Sequence, residues 1–318
     1  DALPILRLGR AADRDFLLTE FRAEAVQIAT TNVALHRKVT ASHETYRLLP
    51  AENLTDGLPG TFSHAAQPDL GPAFSFTIDL GAVRTLDHIA LRNRGDGAVP
   101  DRWSQGRLEL SDEPEGPVRW FAKVRMDGSH MEVGAVDVIP AKAGRGECRG
   151  QFLRLASGSA VAYSPQLAEV EAYEVLTPSI AEARVDGQSL EVAERLTTPT
   201  GAKVLDLVLK LPHPGLPEHL PIRWRLRGVH GDWQVADGLT VQILLPDPGK
   251  YRFEAQIQHS DGVWNTALLE LPLEVRPQFW QTNWFYWCLA GLLLLLVLRA
   301  WWQRQQHRAR HQLAKQRA

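Results

Sequence analysis

The hydrophobic pattern of the chain changes twice. Up to residue 30 apolar and charged positions are mixed, and "DFLLTEFRAEAVQIA" sets Phe16, Leu17, Phe21, Ala25 and Ile28 at helical spacing. That spacing predicts a short amphipathic helix. From Thr31 the pattern becomes short alternating or apolar runs: "FSFTIDLG", "LDHIALRN", "GRLELSD", "QFLRLAS" and "AEVEAYEV". Gly, Pro, Asp and Asn separate these runs and no helical period fills the gaps, which predicts an antiparallel sandwich. "TPSIAEARVDG", residues 177–187, reads as a linker. Beyond it, "KVLDLVLKLP", "IRWRLRG", "LTVQILLP", "KYRFEAQIQ" and "ALLELPLEV" resume the strand pattern and predict a second, smaller sandwich.

The second change comes at Pro277. From there to Leu298 no residue is charged, and Leu289–Leu298 lacks even a polar stripe. At a helical rise of ~1.5 Å per residue this stretch spans roughly 33 Å, about the thickness of a bilayer's hydrocarbon core. Trp280, Trp284, Phe285, Tyr286 and Trp287 crowd one end, and Trp301 and Trp302 the other, as in two interfacial aromatic belts. The residues that follow include Arg299, Arg304, Arg308, Arg310, Lys315 and Arg317 and no acid. The positive-inside rule puts that end in the cytoplasm and residues 1 to about 276 outside. The expected order is an N-terminal segment (1–30), a first sandwich (31–176), a second (177–276), a transmembrane helix (277–302) and a basic cytoplasmic tail (303–318).

Composition narrows the setting. The 318 residues carry a net charge of −2, so nothing suggests a nucleic-acid partner. The first residue is Asp1 rather than Met, which suggests a removed signal peptide or an untraced start. Cys148 lies in the outer part and Cys288 in the apolar run, so no internal disulfide is expected. A cysteine-poor outer part suits a bacterial periplasm, with the helix in the inner membrane. The sequence has no Gly-rich phosphate loop, no CxxC and no HExxH, and its carboxylates form no recognisable catalytic pair. The expectation is a protein without enzymatic activity.

The first sandwich carries a family pattern. "NVALHRKVTAS", "AENLTDGLPGT", "FSFTIDLGAVRTLDHIALRNRGD", "GRLELSD" and "LAEVEAYE" run in order across residues 32–174. Together they resemble the discoidin or coagulation-factor type C family, met also as galactose-binding-like modules and fucose-binding lectins. The resemblance implies a jelly-roll β-sandwich with binding loops at one end. In fucose-binding members an Asn-x-x-Asp turn, nearby oxygens and a late Glu hold calcium. Asn53, Asp56, Thr61 or Ser63, and Glu169 match that set, and hard oxygen ligands suit calcium. The plain alternative is that Asn53 and Asp56 only shape the turn before Gly57. The same relatives bind sugar with a His and two Arg in an Arg-x-Asp-x4-Arg pattern. His64, Arg94 and Arg102 correspond, with Asp96 between the arginines, but Arg102 comes one position late and Gly97 and Ala98 replace the usual cysteine pair. A sugar site and a solvated loop both remain open at this point.

Residues 222–286 contain "GDWQ", "PGKYRFEAQ", "DGVWN" and "FWQTNWFY". This order resembles the three-tyrosine-motif module of bacterial periplasmic sensors, an immunoglobulin-like sandwich standing just outside a membrane helix. Trp224 replaces the family's first tyrosine, and Trp233, Tyr251 and Trp264 read as core and corner residues. The resemblance implies a stiff collar between outer domain and helix. The tail "QRQQHRARHQLAKQRA" lacks an apolar heptad seam and any catalytic motif, and His307 and His311 read as solvated or near lipid phosphates. The expected fold is thus mainly β: a jelly-roll sandwich, an immunoglobulin-like sandwich and one C-terminal transmembrane helix. The favoured role is an accessory or structural subunit of a larger respiratory, photosynthetic or transport complex. Its partners would be the lipid bilayer, other integral membrane subunits, and a glycan or periplasmic protein. The alternative is the ligand-sensing periplasmic part of a two-component sensor, with a carbohydrate as one candidate ligand and the kinase absent from this chain.

Overall fold

Among the described residues, ten strands carry the first body. They are β1 (Val39–Ala41), β2 (Ser63–His64), β3 (Ser75–Arg92), β4 (Arg107–Ser111) and β5 (Trp120–Lys123), then β6 (Val136–Pro140), β7 (Arg145–Gly146), β8 (Arg149–Ala156), β9 (Gln166–Leu167) and β10 (Glu169–Glu174). The structure, a computed structural model, describes residues 31–66, 74–95, 106–124, 134–157, 166–212, 216, 220–229, 231–236 and 238–316, with side chains up to residue 304. The helix expected within residues 15–29, and Asp96 and Arg102, lie outside the described residues.

The 18-residue β3 organises this jelly-roll sandwich. Its first half pairs with β1 and β8 in the order β1-β3-β8-β4-β5-β7, and its second half pairs with β6 and β10. Between the halves, Gly81 takes φ +80°, a conformation L side chains rarely adopt, and a Cβ there would meet the Arg37 guanidinium at 2.5 Å. The two sheets close over Phe74, Phe76, Ile78, Leu86, Ile89, Leu108, Trp120 and Leu153, all at most 1% exposed. Burial of each such side chain contributes about 1.5–3 kcal/mol.

The second half of β3 is buried on both faces. Leu86, Ile89 and Leu91 enter the jelly-roll core, yet Asp87 and His88 are buried too. The register explains this. His88 pairs with Tyr173 and Leu86 with Glu174, leaving Asp87 as the extra residue of a β-bulge. A bulge breaks the alternation of a regular strand and re-aims a side chain, here bringing neighbouring side chains into contact.

The second body is an immunoglobulin-like sandwich of nine strands: β11 (Ser179–Val185), β12 (Gln188–Leu190), β13 (Leu196–Thr197), β14 (Val204–Lys210), β15 (Ile222–Arg227), β16 (Gln234–Ala236), β17 (Thr240–Leu244), β18 (Gly249–Ile257) and β19 (Leu269–Val275). Its sheets run β12-β11-β14-β17 and β13-β19-β18-β15-β16. The core between them includes Leu205, Leu207, Ile222, Leu226, Ile243, Phe253 and Ile257. Two expectations are corrected here. The supposed linker at 177–187 is mostly strand β11, whose Ala183 and Val185 are buried in this core; its alternation was masked by polar residues on the outward face. Trp233 and Trp264 are not core residues either. They are half-buried and hold the Arg223 guanidinium between them, 4.7 and 4.5 Å from their ring centroids. Tyr251 does close a corner, donating its hydroxyl to Asp247 O at 2.7 Å.

The chain then makes one 3-10 turn (Phe279–Gln281) and enters α1 (Asn283–Gln316). The helix itself begins later than the expected span of 277–302. Gln278 and Gln281 cap the turn reciprocally and Thr282 is extended, so the helix starts only at Asn283. It then continues through the basic tail, which forms no separate element. The stretch Asn283–Arg304 is long and apolar enough to cross a membrane, and none of it is buried against the sandwiches.

Candidate functional site

The loop end of the jelly roll gathers residues from four separate segments. Pairing of β2 with β9 sets His64 opposite Gln166. Arg94, just past β3, donates from Nη1 to Gln166 Oε1, and its guanidinium lies 3.9 Å over the Phe62 ring. His64 Nδ1 lies 2.7 Å from Ala65 O; a carbonyl only accepts, so this nitrogen carries the proton. The His64 ring meets Tyr46 edge-on at 4.9 Å, and Tyr46 is half exposed. His64 and Arg94 therefore share one end of the sandwich, whereas Arg102 lies outside the described residues. Sequence reading did not single out Phe62 or Gln166, because only long-range pairing brings them to Arg94.

Beside this group lies a turn rich in oxygens. Asp56 accepts from Leu58 N (2.8 Å) through Oδ1 and from Thr61 Oγ1 (2.7 Å) through Oδ2, the pattern of an Asx turn. Asn53 Nδ2 donates to Phe62 O at 2.9 Å. Glu169, on β10, accepts from Gly57 N at 2.9 Å through Oε1, while its other oxygen, Oε2, is buried without a hydrogen-bond partner. Burial, with help from nearby Asp56 and Glu171, pushes the Glu169 carboxyl up to about 8, against the Gly57 bond. A buried carboxylate oxygen without a donor, beside a second acid, fits a calcium-class cation. Asn53 and Thr61 both act as donors here, so their oxygens keep acceptor capacity. Ser63, the other hydroxyl expected here, is fully buried and donates to Leu49 O at 3.3 Å.

On one sheet face of the same sandwich, β1, β3, β8 and β4 border a groove of ≈ 780 Å³. Lys38, Asp79, Glu109 and Arg154 line it, and Arg107 and Arg154 pair with the buried Glu109. Its charges thus largely neutralise one another.

A third cluster lies between the two sandwiches. The β18–β19 loop, His259–Thr266, folds on itself: Val263 N bonds Asp261 Oδ1 at 3.0 Å and Gly262 N bonds His259 O at 3.0 Å. The loop thereby aims Asp261 at β3, where His88 Nε2 lies 2.8 Å from Asp261 Oδ2 and His88 Nδ1 lies 2.9 Å from Asp87 Oδ2. Asp87 Oδ1 accepts from Thr266 N at 2.8 Å and also from Thr266 Oγ1. Tyr173 stacks on the His88 ring at 4.5 Å. Ser260 and Thr31 exchange further bonds, and Asn265 bonds the backbone of Leu176. Burial lowers the His88 imidazole, but its bonds to Asp261 and Asp87 outweigh this and raise it to about 9. Burial opposes ionisation of Asp87 and Asp261, yet the His88 bond to each holds them below the usual carboxylate range. No motif in the sequence marked these residues.

Trp280 in the 3-10 turn and Trp284 and Trp287 at the start of α1 are exposed, as are Arg299, Trp301 and Trp302 further along it. From Trp284 to Trp302 a helix rises roughly 27 Å, close to one hydrocarbon thickness.

No protein-family model matches the chain, and no curated protein matches it. Solved structures similar to it include a fucose-binding module of Streptococcus pneumoniae, at 21% identity and TM-score 0.36, covering 45% of this chain and 96% of that one. The lectin domain of lectinolysin, solved with Lewis B antigen, is similar at 20% identity and TM-score 0.35, over 45% and 96% of the two chains. The family 32 carbohydrate-binding module of C. perfringens NanJ, solved with galactose, shares 15% identity at TM-score 0.35, over 46% and 98%.

Proposed function

We propose that this chain is a non-catalytic, membrane-anchored binding protein that takes a glycan at the loop end of its jelly-roll sandwich. The observation that carries this reading is the convergence of His64, Arg94, Phe62 and Gln166. A guanidinium seated over an aromatic ring and bonded to Gln166 is held in place, which suits oriented bonds to sugar hydroxyls. Asn53, Asp56, Thr61 and Glu169 would hold calcium behind these loops, and the ion would stiffen them. The immunoglobulin-like body, as a membrane-proximal collar, would hold the loops off a bacterial inner membrane, with the sandwiches periplasmic and the C-terminus cytoplasmic. In this arrangement the chain is the ligand-reading part of a sensor.

The test is a glycan array probed with the full chain in detergent, with fucose and galactose as competitors. Wild type should retain a defined glycan set, and His64→Ala and Arg94→Ala should each weaken binding about tenfold or more, a loss of about 1.4 kcal/mol. No glycan retained by wild type, or two variants that bind like wild type, would end the reading.

The bare helix supports a second reading, that of an assembly subunit. None of the span Asn283–Arg304 is covered by the sandwiches, so lipid or other integral membrane subunits must cover it. Mild extraction should then release a particle much larger than the 35.5 kDa chain. A particle containing only this chain and detergent counts against assembly.

A further inference from the structure

The buried cluster between the sandwiches holds more nitrogen and oxygen ligands than a hydrogen-bonded latch needs. Asp87, His88 and His259 each offer a ligand atom, and these atoms all lie within 4.8 Å of one another. Asp87 Oδ2 is 2.9 Å from His88 Nδ1 and 3.7 Å from His259 Nε2. Around a tetrahedral zinc ion with bonds of ~2.0–2.2 Å, neighbouring ligand atoms stand roughly 3.3–3.5 Å apart. These two separations bracket that value, and the two histidine nitrogens lie within 4.8 Å of each other, so all three ligands sit within reach of one ion.

Two independent features point the same way. The His259 side chain is fully buried, and neither ring nitrogen has a partner in good hydrogen-bond geometry: Asn265 is its neighbour, and Asp87 Oδ2 stands 3.7 Å from Nε2. A buried imidazole without a well-placed partner loses its hydration with little return, and a metal bond at Nε2 would offset that loss. The outer shell is also in place. Asp261 Oδ2 takes the His88 nitrogen that faces away from the cluster, and Thr266 satisfies the Asp87 oxygen that faces away from it. Metal-bound histidines carry such a carboxylate on their second nitrogen, which fixes ring orientation and raises ligand basicity.

We infer that Asp87, His88 and His259 form a zinc-class metal site that staples the second sandwich to the first. Two imidazoles and one carboxylate select zinc or a similar borderline transition ion over calcium, and three protein ligands leave a fourth position for water. The ion takes the place of the proton that Asp87 and His88 share, so loading releases that proton to solvent. Because His259 comes from one sandwich and Asp87 and His88 from the other, the ion closes a cross-link between sequence-distant segments. The site is separate from the oxygen-rich turn around Glu169 and does not depend on glycan binding.

The experiment uses the full chain in detergent, with His307→Gln and His311→Gln to remove the tail histidines, stripped with chelator and titrated with Zn2+ alone. One zinc per chain should survive desalting, and the unfolding midpoint should rise on loading. Co2+ in its place should give the intense visible bands of tetrahedral coordination. His259→Gln should abolish retention, and Asp261→Asn, which touches only the positioning carboxylate, should weaken affinity about 10–100-fold. The inference is overturned if the stripped protein retains no zinc, or if His259→Gln retains as much as its parent. Should His259→Gln not fold, the parent's cobalt spectrum decides: tetrahedral bands uphold the site and their absence overturns it.

Discussion

His88 of the jelly roll and Asp261 of the immunoglobulin-like body meet at 2.8 Å across 173 residues of sequence. The same imidazole touches Asp87, its own neighbour, because the β-bulge turns both side chains toward the second body. One histidine is thus gripped from both bodies at once, and the orientation of the second sandwich on the first follows from that grip.

Thr266 tests the grip without touching a ligand atom. Its hydroxyl and its backbone N–H both donate to Asp87 Oδ1, and valine removes the first while nearly keeping the shape. Thr266→Val should destabilise the full chain by about 1.5–3 kcal/mol, the range for a hydrogen bond to a charged group. Chemical denaturation in the presence of chelator gives this number directly; an unchanged midpoint would show that the bond carries no net stability.

Calcium should raise the unfolding midpoint of the full chain, because it supplies the cation that the partnerless Glu169 Oε2 and nearby Asp56 lack. Glu169→Gln should remove the response, since an amide cannot replace a carboxylate oxygen on a hard ion. Thermal scans with and without the ion, on chelator-treated protein, read the effect. A response that persists in Glu169→Gln places the ion elsewhere.

Cys148 is buried in the jelly-roll core, and burial first, then the charge of Asp87, pushes its thiol up to about 12. The thiolate is the reactive form, so at pH 8 this cysteine should resist alkylation in the native chain and react only after denaturation. Mass spectrometry after maleimide treatment distinguishes the two states. Rapid native labelling would mean that the core opens at Cys148 far more often than its packing implies.

The apolar helix and its basic end predict a topology that labelling can test. In a chain lacking Cys148 and Cys288, a cysteine at Gly187 should react with a membrane-impermeant reagent added from outside intact cells. One at Gln312 should react only after the membrane is opened. The reverse pattern would invert the reading of the arginine-rich tail.

Local pattern determined a good part of this protein. The uncharged run before Arg299 dictates an exposed helix because each residue there reads its environment independently of the rest of the chain. Strand-length apolar runs such as "QFLRLAS" likewise became β8, since alternation is set within a few residues. The loop end was half legible. His64 and Arg94 were named by the family resemblance, but Phe62 and Gln166 became their companions only through the β2–β9 pairing and the packing of Arg94.

The domain junction was not legible at all. "LDHIALRN" reads as an ordinary alternating strand, and nothing in it announces that Asp87 is an extra residue opposite Tyr173. "HSDGVWN" reads as a turn, and its His259 and Asp261 gain their role from β3 of another sandwich. A sequence window records backbone preference and hydrophobic period, both local quantities. The burial of a charged triad depends on which surfaces meet after folding, so only the tertiary structure could decide it.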